Sequence, residues 1–198
     1  MFDFGLVGLG VMGRNFILNV ASKGFSAIGL SSKDEAINLL KREGADYRVD
    51  GTKSDEEFIK KLSRPRKIML LVPAGNPVDT VIERFLPYLD EGDIIIDGGN
   101  SHYDDTDRRY LYLKNKNIHF IGAGVSGGSK GARFGPSIMP GGDKECYKEI
   151  QPIFEAAAAK VKEEPCVSYL GITSSGHYVK MIHNGIQYAI MQLISENY

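Results

Sequence analysis

Lys180, His183, Asn184 and Gln187 recur at spacings of three and four within a run from Ser174 to Tyr198 that reads as one helix. At about 100° per residue the four share one stripe and can converge on a single small ligand. A lysine held against such a face has a lowered pKa and can act as a general base, while the amides and imidazole hydrogen-bond its substrate. Taken alone, His183 is more often a packed histidine than a catalytic one, and His177, six residues earlier, points elsewhere, so no metal pair is offered. The neighbouring stripe, Val179, Ile182, Ile186, Ile190 and Leu193, predicts that the opposite side of this helix is core.

A second constellation lies near the start. Phe4-Gly5-Leu6-Val7 is a short apolar run, Gly8-Leu9-Gly10-Val11-Met12-Gly13 follows it, and Arg14 to Lys23 has helical spacing with Gly24 as its stop. A GxGxxG between strand and helix is the arrangement that holds a dinucleotide: one glycine for the tight turn, one for approach of the pyrophosphate, one for close helix packing. After the next strand, Ser26 to Leu30, the chain has Ser31-Ser32-Lys33 where an NAD site usually has a carboxylate. Two hydroxyls and a cation favour a 2′-phosphate, hence NADP, with NAD as the alternative.

The elements between these sites alternate. Helices are expected over Lys33 to Arg42, Ser54 to Leu62, Pro77 to Leu89 and Thr106 to Asn115, and buried strands over Lys67 to Val72, Asp93 to Asp97 and Ile118 to Ile121. Uniformly apolar strands between helices predict an α/β, Rossmann-like, doubly wound and mostly parallel sheet with helices on both faces. Two glycine loops, Gly98-Gly99-Asn100-Ser101 and Gly122 to Gly128, follow strands and should face the ligand crevice. Ala132 to Gly142 carries glycine and proline and no chemistry that the sequence discloses.

Composition excludes other classes. With 24 Lys and Arg against 25 Asp and Glu, the net charge of −1 gives no overall attraction to nucleic acid or anionic lipid. The charge-dense segment Lys53 to Lys67, including Lys60, Lys61, Arg64 and Arg66, is diluted by acids and reads as a solvated helix face. No apolar run nears the roughly 18 residues of a membrane span. The two cysteines, Cys146 and Cys166, have no metal or disulfide spacing. Asp3 stands where a signal peptide carries basic residues, so a cytoplasmic protein is expected. Glycine, at 23 of 198 residues, is in excess of the usual level near 7%, and it clusters at the loops just named.

With those residues in view, the chain resembles the 6-phosphogluconate dehydrogenases from Phe4 to Tyr198. The resemblance is carried by Gly8 to Asn15, by Ile94-Ile95-Ile96-Asp97-Gly98-Gly99-Asn100-Ser101, by Gly124-Val125-Ser126-Gly127-Gly128 and by Lys180-Met181-Ile182-His183-Asn184-Gly185. It implies oxidation of 6-phosphogluconate at C3 by NADP, followed by decarboxylation to ribulose 5-phosphate, a step of the pentose phosphate pathway, without a metal. It further implies that Lys180 is the general base, that Asn100, Ser126, Gly127, Gly128, His183, Asn184 and Tyr188 contact substrate, and that Gly8, Leu9, Gly10, Val11, Met12, Gly13, Ser31, Ser32, Lys33, Val72, Ala74 and Asn100 contact cofactor. The family's chain is longer. Residues 1–172 are expected to be the coenzyme domain and 173–198 the start of a long helix opening an all-helical domain that makes a homodimer.

Three departures stand out. Gln187 occupies the place of the family's general acid, a Glu, and a neutral amide cannot donate a proton as a carboxyl group does. Ser31-Ser32-Lys33 replaces the family's Asn-Arg-Thr, and Pro73 stands where many relatives have Lys. Gln187 keeps two alternatives open: another β-hydroxyacid dehydrogenase, or a dinucleotide-binding module without turnover. The 198 residues by themselves are expected to bind cofactor without appreciable catalysis.

Overall fold

The computed structural model describes residues 1–198. Its elements, in order, are β1 (Phe4–Val7), α1 (Val11–Ser22), β2 (Ala27–Leu30), α2 (Asp34–Glu43), β3 (Val49–Thr52), α3 (Asp55–Lys60), β4 (Lys67–Leu70), α4 (Asn76–Phe85), β5 (Ile94–Asp97), α5 (Tyr103–Lys114), β6 (His119–Ser126), α6 (Gly128–Phe134), β7 (Ser137–Gly142), α7 (Lys144–Ala157), the short pair β8 (Lys160–Val161) and β9 (Glu164–Pro165), and α8 (Ser175–Glu196).

Seven strands form one sheet in the order β3-β2-β1-β4-β5-β6-β7, all parallel except β7, which runs antiparallel to β6. The order reverses between β1 and β4, which opens a crevice at the carboxyl ends of those strands. Phe4, Leu6, Phe16, Leu40, Ile150 and Phe154 pack one face, and Ile28, Phe58, Val81, Phe85, Ile95 and Leu113 the other. Both faces are therefore dry, as the uniformly apolar strands require. The expected doubly wound α/β fold is the fold observed.

Several local expectations need correction. The edge strand β3 was not read from the sequence. Its residues, Val49-Asp50-Gly51-Thr52, are three-quarters half-buried and only one is aliphatic, so no apolar run announces it. Gly122 to Ser126 is not a loop but the second half of β6, and Ile138 to Gly142 lies in β7. Pro140 is tolerated there because β7 is an edge strand. Arg66 is not on a solvated face: it is buried and bonded to Asp93 at 2.5 Å and Asp90 at 2.6 Å.

The largest correction concerns α8. Val179, Ile182, Ile186, Ile190 and Leu193 are exposed, and the buried residues of the helix are Gly176, His177 and Lys180. Only the first turns of α8 lie on the sheet, against β6 and β7. There a Cβ on Gly176 would overlap the carbonyl oxygens of Gly122 and Met139. Beyond those turns the helix projects from the sheet, and its apolar stripe is largely exposed.

Candidate active site

The glycine turn joins β1 to α1 at the crevice. Gly8 has φ +98°, which glycine adopts without penalty, and its amide donates to the Leu30 carbonyl at 3.1 Å. A Cβ on Gly13 would overlap the Gly8 carbonyl oxygen, so only glycine lets α1 pack this tightly on β1. Gly10, by contrast, is extended (φ −67°, ψ −173°), and a Cβ there would meet nothing within 4 Å. Gly10 is also the N-cap of α1 and offers no side-chain cap, so the amides of the first turn are left for an outside acceptor. An open approach, uncapped amides and no acidic residue in the first turn fit a dinucleotide pyrophosphate. Met12 faces the crevice, Val11 is exposed, and Leu9 is buried in the core, so that only its backbone is available to a ligand.

One side of the turn opens into a cleft of about 220 Å³ lined by Gly8, Ser31, Ser32 and Val72, as expected, together with Lys53, Arg84 and three aliphatic residues. Lys33 does not line it; it is the exposed N-cap residue of α2. Ala74 is exposed and lines neither this cleft nor the larger one described next. Lys53 and Arg84 were not singled out in the sequence.

The other side opens into a larger cleft, about 710 Å³, between the glycine turn, β6 and α8. Asn100, Ser126, Gly127 and Gly128 reach it from the strand ends, and Lys180, His183, Asn184, Gln187 and Tyr188 from α8. Every expected substrate residue is thus in one place. Lys180 is buried, and its Nζ donates to Asn184 Oδ1 at 2.8 Å. Burial lowers its pKa below that of an ordinary lysine. Gly124 makes this position available, since a Cβ on it would press into the Lys180 stem at 2.5 Å. His183 is half-buried on the cleft wall, its Nδ1 3.3 Å from Asn184 Oδ1, so it is not the plain packed histidine that its spacing alone favoured.

Two buried groups to which the sequence gives no role, Arg109 and His177, hold this arrangement. Arg109, 1% exposed, donates to both oxygens of Asp79 at 2.9 Å, to Ser101 Oγ at 3.2 Å and to the Gly75 carbonyl at 3.0 Å. Ser101 in turn donates to Asp97 at 2.6 Å, and Asp97 accepts from the Gly99 amide at 3.0 Å. Asn100 is pinned between these bonds. Hydrogen bonds from Arg109, then Arg108, hold the Asp79 carboxyl down at about 2. His177 Nε2 lies 3.0 Å from the Asp97 carbonyl oxygen and Nδ1 2.6 Å from Thr106 Oγ1. A carbonyl only accepts, so Nε2 carries the proton and Nδ1 accepts from the threonine. Burial lowers the His177 pKa, which keeps the ring neutral while it ties α8 to β5.

A classical dinucleotide crevice with an amine-bearing helix across its mouth defines a coenzyme-binding dehydrogenase domain. Residues 3–171 match the family model described as the NAD binding domain of 6-phosphogluconate dehydrogenase, and 176–198 match the C-terminal domain of the same enzyme. The chain belongs to the 6-phosphogluconate dehydrogenase family.

It is 53% identical over 197 residues to 6-phosphogluconate dehydrogenase, decarboxylating 1, of Saccharomyces cerevisiae, covering 99% of this chain and 40% of that one. It is 52% identical over 196 residues to the NADP(+)-dependent, decarboxylating enzyme of Bacillus subtilis, covering 99% and 42%. The Plasmodium falciparum 6-phosphogluconate dehydrogenase, solved in apo form and with NADP+ or 6-phosphogluconate, superposes with a TM-score of 0.95 at 46% identity over 99% of this chain and 42% of that one. A 3-hydroxyisobutyrate dehydrogenase of Mycobacterium tuberculosis shares the fold, with a TM-score of 0.84 at 21% identity, over 100% and 64%. The chain spans about 40% of the length of the decarboxylating relatives. No helix is long and apolar enough to cross a membrane.

Proposed function

We propose that this chain is the coenzyme-binding part of an NADP-dependent enzyme that oxidises 6-phosphogluconate and decarboxylates it to ribulose 5-phosphate in the pentose phosphate pathway. The observation that carries this reading is the single cleft joining Lys180, Asn184, Asn100 and the Ser126 loop to Met12 of the glycine turn. NADP would lie on the Gly8 to Gly13 turn, its ribose toward Ser31 and Ser32, and when bound it supplies the acceptor for the hydride that leaves C3. Lys180, with its pKa lowered by burial, takes the C3 hydroxyl proton as that carbon is oxidised. Asn184 accepts a hydrogen bond from Lys180 Nζ and so holds the amine toward the cleft. Ser126, the Gly127 and Gly128 amides, Asn100, His183 and Tyr188 orient the sugar acid.

The 3-keto acid then loses CO2, leaving an enediol that needs a proton at C1. Gln187 lines the cleft, yet its amide has no proton to give at neutral pH. Protonation at C1 falls to water or to another group, at an expected cost of about 10²- to 10⁴-fold in that step.

Residues 1–172 form the coenzyme domain in this reading, and 173–198 open a helical domain. The exposed stripe of Val179, Ile182, Ile186, Ile190 and Leu193 supports such a covering domain, through which a homodimer would form. The surroundings are cytoplasmic in this reading, in keeping with two free cysteines.

The test is turnover by the full-length protein. NADPH and CO2 should form together from 6-phosphogluconate, and Lys180→Ala should cut kcat by about 10²- to 10⁴-fold with little change in NADP affinity. Faster oxidation of a different hydroxy acid, or full activity in the Lys180 variant, would contradict this reading.

A further inference from the structure

The cleft beside the glycine turn is walled by a lysine that no sequence motif marks. In the parallel pairing of β2 with β3, Leu30 lies opposite Thr52, and the Ser31 amide donates to the Thr52 carbonyl at 3.2 Å. The residue that follows β3, Lys53, therefore stands beside Ser31 and Ser32 and lines their cleft. Lys33, the cation adjacent in sequence, is turned out to the start of α2. Its engaged groups are in the backbone: the amide donates to Ser31 Oγ at 3.2 Å and the carbonyl accepts from the Ile37 amide at 3.3 Å. In this fold the group that tells a ribose hydroxyl from a 2′-phosphate stands at the carboxyl end of β2.

We propose that Lys53, supplied by the loop after β3, is the cation that selects a 2′-phosphorylated adenosine, with the Ser31 and Ser32 hydroxyls as its companion donors. The proposal rests on the dinucleotide reading of the glycine turn. Lys53 Nζ bonds Asp34 Oδ2 at 2.9 Å, but both side chains are more than half exposed, at 52% and 72%. An ion pair so open to water holds its ammonium weakly, so exchange of one carboxylate for a doubly charged phosphate is favourable. Arg84, on the same wall, is committed: Asp55 binds it through both oxygens, at 2.9 and 2.5 Å. With Arg84 neutralised, Lys53 is the cation on this wall left to make the contact. Asp34 competes with the phosphate for Lys53, so removing its charge should tighten binding.

The test is calorimetric titration of the full chain with 2′,5′-ADP and with 5′-AMP, which share the adenosine and differ in the 2′-phosphate. The unsubstituted protein should prefer 2′,5′-ADP. Lys53→Ala should lower that preference about tenfold while leaving 5′-AMP affinity in place, which also reports an intact fold. Lys53→Arg should keep most of the preference, Lys33→Ala should keep it within about twofold, and Asp34→Asn should raise it. A preference that survives Lys53→Ala, or collapses with Lys33→Ala, overturns the assignment of Lys53. Equal affinity for the two ligands in the unsubstituted protein overturns it too but leaves the dinucleotide reading standing. Binding of neither ligand defeats both.

Discussion

The loop at Gly8 to Gly13 and the loop at Gly98 to Ser101 both follow parallel strands and both face the crevice, yet they are held by opposite means. The first is shaped by atoms that are absent: a Cβ on Gly8 or Gly13 would overlap backbone oxygens. The second is held by charge: Asp97, Ser101 and Asp79 all converge on Arg109, a guanidinium sealed from water. A backbone cradle leaves its amides free for a ligand, whereas a buried ionic network spends its donors internally and presents one chosen side chain, Asn100. The first arrangement suits a phosphate, common to every cofactor molecule. In the proposed reaction the second would place a substrate against Lys180 to within a fraction of an ångström.

The contrast can be broken most sharply at Arg109. Arg109→Met leaves Asp97 without its cation and Asp79 with only the exposed Arg108, and should destabilise the protein by about 3–5 kcal/mol, measured by urea unfolding. Hydrogen exchange should rise first at Gly98 to Ser101 and not at Gly8 to Gly13. Equal loosening of both loops would erase the distinction. At the other loop, Gly13→Ala should cost about 1–3 kcal/mol through overlap with the Gly8 carbonyl, with loss of NADP binding and no change in the pH dependence of stability. Acid gives the smallest and most selective effect. The folded-state pKa of Asp79, about 2, lies below the ordinary 3.8, so its stabilisation is complete above that ordinary value and is lost as pH falls from about 4 toward 2. Because Asp79 is partly exposed, about 1–2 kcal/mol is expected from acid unfolding curves, and the loss should shrink in Arg109→Met, where only Arg108 still pairs with Asp79.

The same contrast explains what the sequence could disclose. Glycines at fixed spacing between an apolar run and a helix are a local signal, so the turn, its strand and its helix were all legible in a dozen residues. The stripe on α8 was legible for the same reason: helical periodicity places Lys180, His183, Asn184 and Gln187 together without knowledge of the rest. Arg109 was not legible. Its partners lie 30 and 12 residues away in sequence, and next to Arg108 on a polar helix it looks like an ordinary surface charge. Lys53 was missed because its strand was missed: Val49-Asp50-Gly51-Thr52 lies at the sheet edge, where one side needs no apolar residue. The α8 stripe of Val179, Ile182, Ile186, Ile190 and Leu193 shows the converse error. Periodicity identified an apolar face correctly, but only tertiary structure shows that these residues leave it open to water.

The claim that the glycine turn is a cofactor site, and not simply a tight turn, is tested most directly at Gly10. A side chain there strains nothing, because its backbone is extended and the space beyond Cβ is open. It would stand where a pyrophosphate must approach. NADP should be titrated by calorimetry into Gly10→Val alongside the unsubstituted protein. Unchanged thermal stability without ligand, together with a loss of NADP affinity of more than about tenfold, a cost above about 1.4 kcal/mol, is the expected result. Unchanged stability with unchanged NADP affinity would contradict the account.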